Sequence, residues 1–235
     1  MQGKNVLIVA AHPDDAELAV GGLIAMLADR GARVSVANFT VCEASPEARR
    51  RRITAAENAC RILGAEVIWV GDSQRDHVED VPEYRCVAEI DKLVADVKPD
   101  YVLSHHLNDS HGDHVRLARS VMASSRRWDA QLFAFGPNEY RTPAYQAFVP
   151  TLFVDTSTYL DRKLEALSLY NYSGAGFRPI DLARIEALDR AKGAMCGYQA
   201  AEGLMIVRQH GFPMSFATGA RPALSRPYEM YSMQG

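Results

Sequence analysis

The sequence predicts an α/β fold: a mostly parallel sheet flanked by helices. Three observations carry that prediction. Val6-Leu-Ile-Val-Ala-Ala11 is an unbroken apolar run with β-branched residues at three positions, the pattern of a strand buried on both faces of a parallel sheet. Strand and helix patterns then alternate along the chain, which implies right-handed crossovers. Finally, the first and fourth strands run without a break into clusters of histidine and carboxylate. In open α/β sheets the crevice beyond the carboxyl ends of the strands is where ligands bind.

Taken in order, residues 16–29 read as a helix stopped by Gly31. Gly21 and Gly22 weaken its interior by about 1 kcal/mol each relative to alanine. Close approach of another backbone would explain them. Residues 33–40 alternate as a strand, and a loop with Cys42, Glu43 and Pro46 leads into a helix over about 47–62, closed by Gly64. A third strand follows at 65–70, then a polar loop at 71–82 near the carboxyl edge of the sheet. Residues 83–97 suit an amphipathic helix, with Val87, Ile90, Leu93, Val94 and Val97 near helical spacing. Lys98-Pro-Asp100 ends it, and Tyr101-Val-Leu-Ser104 is the fourth strand. A helix is expected at 115–125, strands at 131–135 and 148–154, and helices at 156–170 and 181–197. The tail over about 212–235, with Pro213, Pro222 and Pro227, reads as an extended arm able to pack on the domain or on a neighbouring subunit of a homo-oligomer. Without a repeat or a linker, residues 1–235 are expected to form a single domain.

Composition narrows the function classes. The 235 residues suffice for one large core, and 48% apolar with 23% charged residues is ordinary for a soluble globular protein. A formal net charge of −3 gives no global field to recruit nucleic acid or an anionic membrane. No segment approaches the length that spans a bilayer. Residues 1–11 do not read as a signal peptide, because the apolar run is short and cleavage after it would expose the first motif. Cys42, Cys60, Cys86 and Cys196 are widely spaced and form no Cys-x-x-Cys pair, so reduced thiols and a cytoplasmic location are expected.

The chemistry lies at the two strand ends. The first carries His12-Pro-Asp14-Asp15-Ala-Glu17. Burying two carboxylates beside a histidine is costly unless a cation or donors compensate, which points to a metal site or to a loop capping the next helix. The second cluster is His105-His-Leu-Asn-Asp109-Ser-His111-Gly-Asp113-His114, with four histidines in ten residues. Catalytic zinc commonly takes three nitrogen or oxygen ligands and leaves a fourth position for water. His12, Asp15 and one histidine of the second cluster supply that set. His111 and His114 at i, i+3 share a face, so one can bind metal while the other meets substrate. One carboxylate must stay off the metal to act as a base, and Asp14 is the spare one. No Gly-x-Gly-x-x-Gly follows the first strand, which argues against dinucleotide binding.

These motifs resemble the PIG-L/LmbE family of metal-dependent N-acetylglucosaminyl deacetylases. Ala11 to Glu17 matches the family's Ala-His-Pro-Asp-Asp-x-Glu, and His111-Gly-Asp-His114 matches its His-x-Asp-His. Weaker echoes are Arg52, Ala59 and Leu63-Gly64 in one helix, where Ala55 replaces an expected glutamate. Cys42-Glu43 falls where a Gly-Glu loop is usual, and Ser173-Gly174 where many members have Ser-Gln. Ala201-Glu202-Gly203 resembles a glutamate-containing active-site loop.

The resemblance implies a Rossmann-like domain holding one zinc ion per chain, or Fe2+ or Co2+, on His12, Asp15 and His114. Asp14 is then the general base and His111 the oxyanion-facing group, protonated to do so. Asp113 either orients His111 and raises its pKa or caps the following helix. Glu43, Arg52 and Glu202 are candidate substrate contacts. His77, with Asp72 and Asp76, lies in a loop that borders the pocket or is simply solvated. The expected reaction is hydrolysis of the acetamide of an N-acetylated amino sugar, with no nucleic-acid or membrane partner. Cleavage of a larger acyl group from a thiol or antibiotic conjugate, or glycoside binding without turnover, are the alternatives.

Overall fold

The computed structural model describes residues 1–43, 45–71, 77–136, 148–172 and 179–210. Its first half follows the expected alternation: β1 (Asn5–Ala10), α1 (Asp15–Asp29), β2 (Arg33–Asn38), α2 (Pro46–Leu63), β3 (Glu66–Trp69), α3 (Glu83–Val97), β4 (Tyr101–His105), α4 (Gly112–Ser124). Then come β5 (Gln131–Phe135), β6 (Leu152–Asp155), α5 (Leu160–Ser168), α6 (Leu182–Cys196) and β7 (Ala201–Arg208). The strands form one seven-stranded sheet in the order β3-β2-β1-β4-β5-β7-β6. The first five are parallel, and β7 runs antiparallel between β5 and β6.

β1 is apolar throughout because helices cover both its faces. Val6, Ile8 and Ala10 pack with residues of α1, α2 and α5 on one face, and Leu7 and Val9 with residues of α3 and α4 on the other. The chain leaves β1 toward β2 on one side and returns to β4 on the other, with Val9 opposite Ala37 and Ser104. This reversal of strand order opens a crevice at the carboxyl ends of β1 and β4. Both polar clusters arrive there.

Three expectations change. Residues 201–208, expected to begin as a loop, form strand β7, because the apolar run from Leu204 pairs with β5 and Glu202 finds partners inside. The strand expected at 148–154 is shorter, and the helix at 156–170 divides into a 3-10 turn at Ser157–Tyr159 and α5. The third change is in α1, which is broken at Val20 (φ −142°, ψ 26°). Past the break, Glu202 Oε1 and Oε2 accept from the Gly22 and Leu23 N–H groups at 2.8 and 2.7 Å. Lys163 Nζ lies 2.7 Å from Glu202 Oε1 and 2.6 Å from Asp189 Oδ2. A Cβ at Gly21 would stand 2.9 Å from Lys163 Cγ, and one at Gly22 2.8 Å from Thr156 Cβ. The two glycines therefore admit side chains rather than a backbone.

Among the described residues no helix is long and apolar enough to cross a membrane. All four cysteines are free. The expected arm at 212–235, Asp72, Asp76 and Ser173-Gly174 lie outside the described residues.

Candidate metal centre

His12 comes from the turn between β1 and α1, Asp15 is the first residue of α1, and His114 lies in the first turn of α4. All three are buried. His12 Nδ1 lies 3.3 Å from Asp15 Oδ2, His114 Nε2 lies 3.3 Å from Asp15 Oδ1, and the two imidazole nitrogens are 3.3 Å apart. Two ligands on a tetrahedral ion at zinc's usual bond lengths stand about 3.3–3.4 Å apart, the spacing found for each pair here, with Asp15 presenting a different oxygen to each imidazole.

The surroundings fix the imidazoles in the form a metal needs. His12 Nε2 is 2.8 Å from Asp113 Oδ2, and His114 Nδ1 is 2.7 Å from Asp109 Oδ2. Each outer nitrogen therefore carries the proton shared with its carboxylate, which leaves the inner nitrogen as the one that would face an ion. Asp15 is held in turn by the His12 N–H, which donates to Oδ2 at 2.8 Å. Electrostatics favour positive charge here. Burial opposes it, yet the Asp15 charge and the Asp113 hydrogen bond carry the His12 pKa well above its ordinary value. Burial likewise opposes protonation of His114, but Asp15 and Asp109 raise its pKa to about 9. Burial would push Asp15 up, but the His114 and His12 charges hold it well below the usual carboxylate range.

Asp14 stands apart from that set. Its backbone is left-handed (φ 96°), a conformation that costs a non-glycine residue of order 1–3 kcal/mol and recurs at functional sites. It is the N-cap residue of α1, its carbonyl accepting the Leu18 N–H at 2.8 Å, but its carboxylate makes no capping hydrogen bond. Burial raises its pKa to about 6, against the pull of the Arg52 charge 3.6 Å away.

His111 flanks the centre, its ring centroid 4.8 Å from that of His12 and 4.5 Å from that of His114. Its Nδ1 accepts from the Asp113 N–H at 3.3 Å, so His111 itself caps α4. Burial and the nearby His12 and His114 charges lower its pKa. An Nδ1 that accepts carries no proton, so in this arrangement the ring N–H is on Nε2. Asp113 neither holds the His111 ring by its carboxylate nor caps the helix. Its carboxylate instead accepts from the Glu79 N–H at 2.7 Å and braces His12.

The substrate candidates are placed differently from expectation. Arg52 is buried, not on a rim. Its guanidinium donates to the carbonyls of Pro13 and Val41, both at 3.0 Å, and so ties the ends of β1 and β2 together. Glu43 is buried beside it, 3.9 Å from Arg52 Nη1. Glu202 is fully buried in β7 on the internal partners given above, with no surface left for a ligand.

Two supporting residues escaped the sequence reading. Asp109 was one carboxylate among many, although its place in a histidine-rich turn was a signal. His105 accepts the Ala11 N–H at 3.0 Å and stacks on His114. Burial and the His114 charge lower its pKa to about 4, so it is a neutral prop. Glu17 Oε1 accepts from the Tyr170 hydroxyl at 2.8 Å beneath the centre.

Residues 7–125 match a family model described as PIG-L, GlcNAc-PI de-N-acetylase. The chain is 28% identical over 170 residues to an uncharacterized deacetylase, YaiS, of Escherichia coli, covering 70% of this chain and 89% of that one. It is 29% identical over 195 residues to a 4-oxalmesaconate hydratase of Pseudomonas putida, covering 70% and 72%. In structure it is similar to the N,N'-diacetylchitobiose deacetylase of Pyrococcus horikoshii, with a TM-score of 0.71 at 20% identity over 90% of this chain and 88% of that one.

Proposed function

Because this chain belongs to the PIG-L family of GlcNAc-PI de-N-acetylases, we propose that it is a divalent-metal-dependent hydrolase removing the acetyl group from an N-acetylated amino sugar or glycoconjugate. The observation that carries this reading is the convergence of His12, Asp15 and His114 at mutual separations of 3.3 Å, with the Asp14 carboxylate left beside them. The deacetylases among its relatives support the reaction class.

His12, Asp15 and His114 would hold the ion, zinc first and Fe2+ or Co2+ as alternatives. Bound there, such an ion supplies a polarised amide carbonyl and a water whose pKa falls to about 7. Asp14 accepts the proton of the attacking water on its carboxylate and returns it to the nitrogen of the leaving amine. Its raised pKa suits a group that must both take and give a proton near neutral pH. Arg52 fixes Pro13 and thereby the strained backbone from which Asp14 projects. His111 offers Nε2–H to the carbonyl oxygen as negative charge develops there, which a neutral imidazole can do. The products are acetate and a free amino sugar. We place the reaction in a reducing cytoplasm, consistent with the four free thiols.

Water addition to an unsaturated carboxylate, the reaction named for the Pseudomonas putida relative, is the competing reading. The metal-loaded protein is therefore assayed against N-acetylated glycosides, longer N-acyl glycosides and unsaturated dicarboxylates. Stoichiometric acetate and free amine are expected. Hydration without acetate release, or glycoside binding without turnover, would overturn the proposal.

A further inference from the structure

Asp113 has two sides. Inward, its Oδ2 braces His12 at 2.8 Å, and outward its Oδ1 receives the Glu79 N–H at 2.7 Å while Oδ2 lies 3.8 Å from His77 Nδ1. A carboxylate offers about four lone-pair positions, and those two hydrogen bonds fill only half of them. The Glu79 carboxylate folds over the first residue of α4. A Cβ at Gly112 would stand 1.6 Å from Glu79 Oε2, so the carboxylate occupies the space that a side chain there would take. One donor atom from each of His77, Glu79 and Asp113 lies within 4.8 Å of the others. Among the described residues no cation answers the Glu79 carboxylate. Arg116 reaches the Glu79 backbone carbonyl at 3.4 Å and directs its other arm to Glu83 at 3.5 Å.

An imidazole and two carboxylates facing one another, one of them fully buried, make a donor set for a borderline transition-metal ion rather than for magnesium. We propose that His77, Glu79 and Asp113 form a second divalent-cation site, distinct from the His12–Asp15–His114 centre, whose occupancy slows turnover. The second site is the weaker one. His77 and Glu79 are solvent-exposed side chains that lose freedom on binding, whereas the donors of the first centre are buried and already braced. It slows turnover because a cation on Asp113 competes with His12 Nε2–H for the same carboxylate, and a ligand imidazole that loses its carboxylate is less well oriented.

The test starts from protein carrying one equivalent of zinc and adds zinc ion alone, followed by titration calorimetry. A second, weaker equivalent is expected. In the double variant His77→Ala/Glu79→Gln it should weaken by at least about tenfold, with the first equivalent intact. Acetate release, followed in parallel, should fall as the second equivalent fills in the unsubstituted protein and stay level in the variant. Absence of a second equivalent, or one unchanged in the double variant, would overturn the site. Turnover indifferent to its filling would overturn its effect on catalysis. The calorimetric result stands whatever substrate the protein takes, so a failure of the deacetylase reading is told apart from a failure of this one.

Discussion

At its first turn α1 meets His12, Asp15 and His114. Past its break, at Gly22 and Leu23, it meets Glu202, Lys163 and Asp189. Both clusters are buried and charged, yet their donors are arranged in opposite ways. In the lower cluster each charge is answered by another: the Lys163 ammonium by two carboxylates, and Glu202 by that ammonium and two backbone N–H groups. In the upper cluster two further carboxylates, Asp113 and Asp109, lie behind the imidazoles, while the inner nitrogens of His12 and His114 stand 3.3 Å apart and each 3.3 Å from an oxygen of Asp15. Burial of charge therefore does not by itself mark a reactive site. Convergence of metal-ligating side chains at the crevice of the sheet is the better marker, and Glu202 shows the contrast, since its motif suggested a site and its partners make it structural.

The comparison breaks most sharply if Lys163 is removed. Lys163→Ala leaves Glu202 and Asp189 buried without their cation, and breaking such a pair costs about 3–5 kcal/mol. Chemical denaturation should show that loss, and Asp189→Asn a smaller one. An unshifted midpoint in Lys163→Ala would mean that the lower cluster is not held by its charges. Asp14→Asn should do the reverse. Turnover should fall by about 10²–10⁴-fold, the range for a general acid–base group, with metal content and denaturation midpoint preserved. Near-normal turnover in that variant removes Asp14 as the base.

A smaller effect sharpens the role of the outer carboxylates. Asp109→Asn should weaken metal binding by about 10–100-fold, measured by competition with a chelator. Unchanged affinity would show that His114 needs no such brace. The smallest effect belongs to an exposed pair used as a control. Burial works against it, but hydrogen bonds from Lys4 and the Asn5 N–H lower the Asp100 pKa. A folded pKa below the unfolded one gives stability that is present above about pH 4 and lost as pH falls through the folded value. Asp100→Asn should flatten the acid limb of the stability curve slightly. A limb identical in both proteins would mean the pair contributes nothing.

The upper cluster was legible in the sequence because its residues are contiguous at two strand ends, and period and composition place those ends in one crevice. The parallel half of the sheet was legible for the same reason, since short apolar strands alternate with helices. What was hidden depends on distance along the chain. Lys163 and Glu202 are 39 positions apart and their pairing has no local pattern, so nothing stood against the loop that the family resemblance implied at the start of β7. The cap that His111 places on α4 was hidden too. It turns on which atom accepts the Asp113 N–H, a matter of rotamer and not of spacing.

The claim that His12, Asp15 and His114 together hold one divalent ion is tested most directly by metal analysis of the purified protein beside His114→Ala. One equivalent per chain is expected in the first. The folded variant should retain almost none and release no acetate. A full equivalent in folded His114→Ala would contradict the account and remove His114 from the donor set.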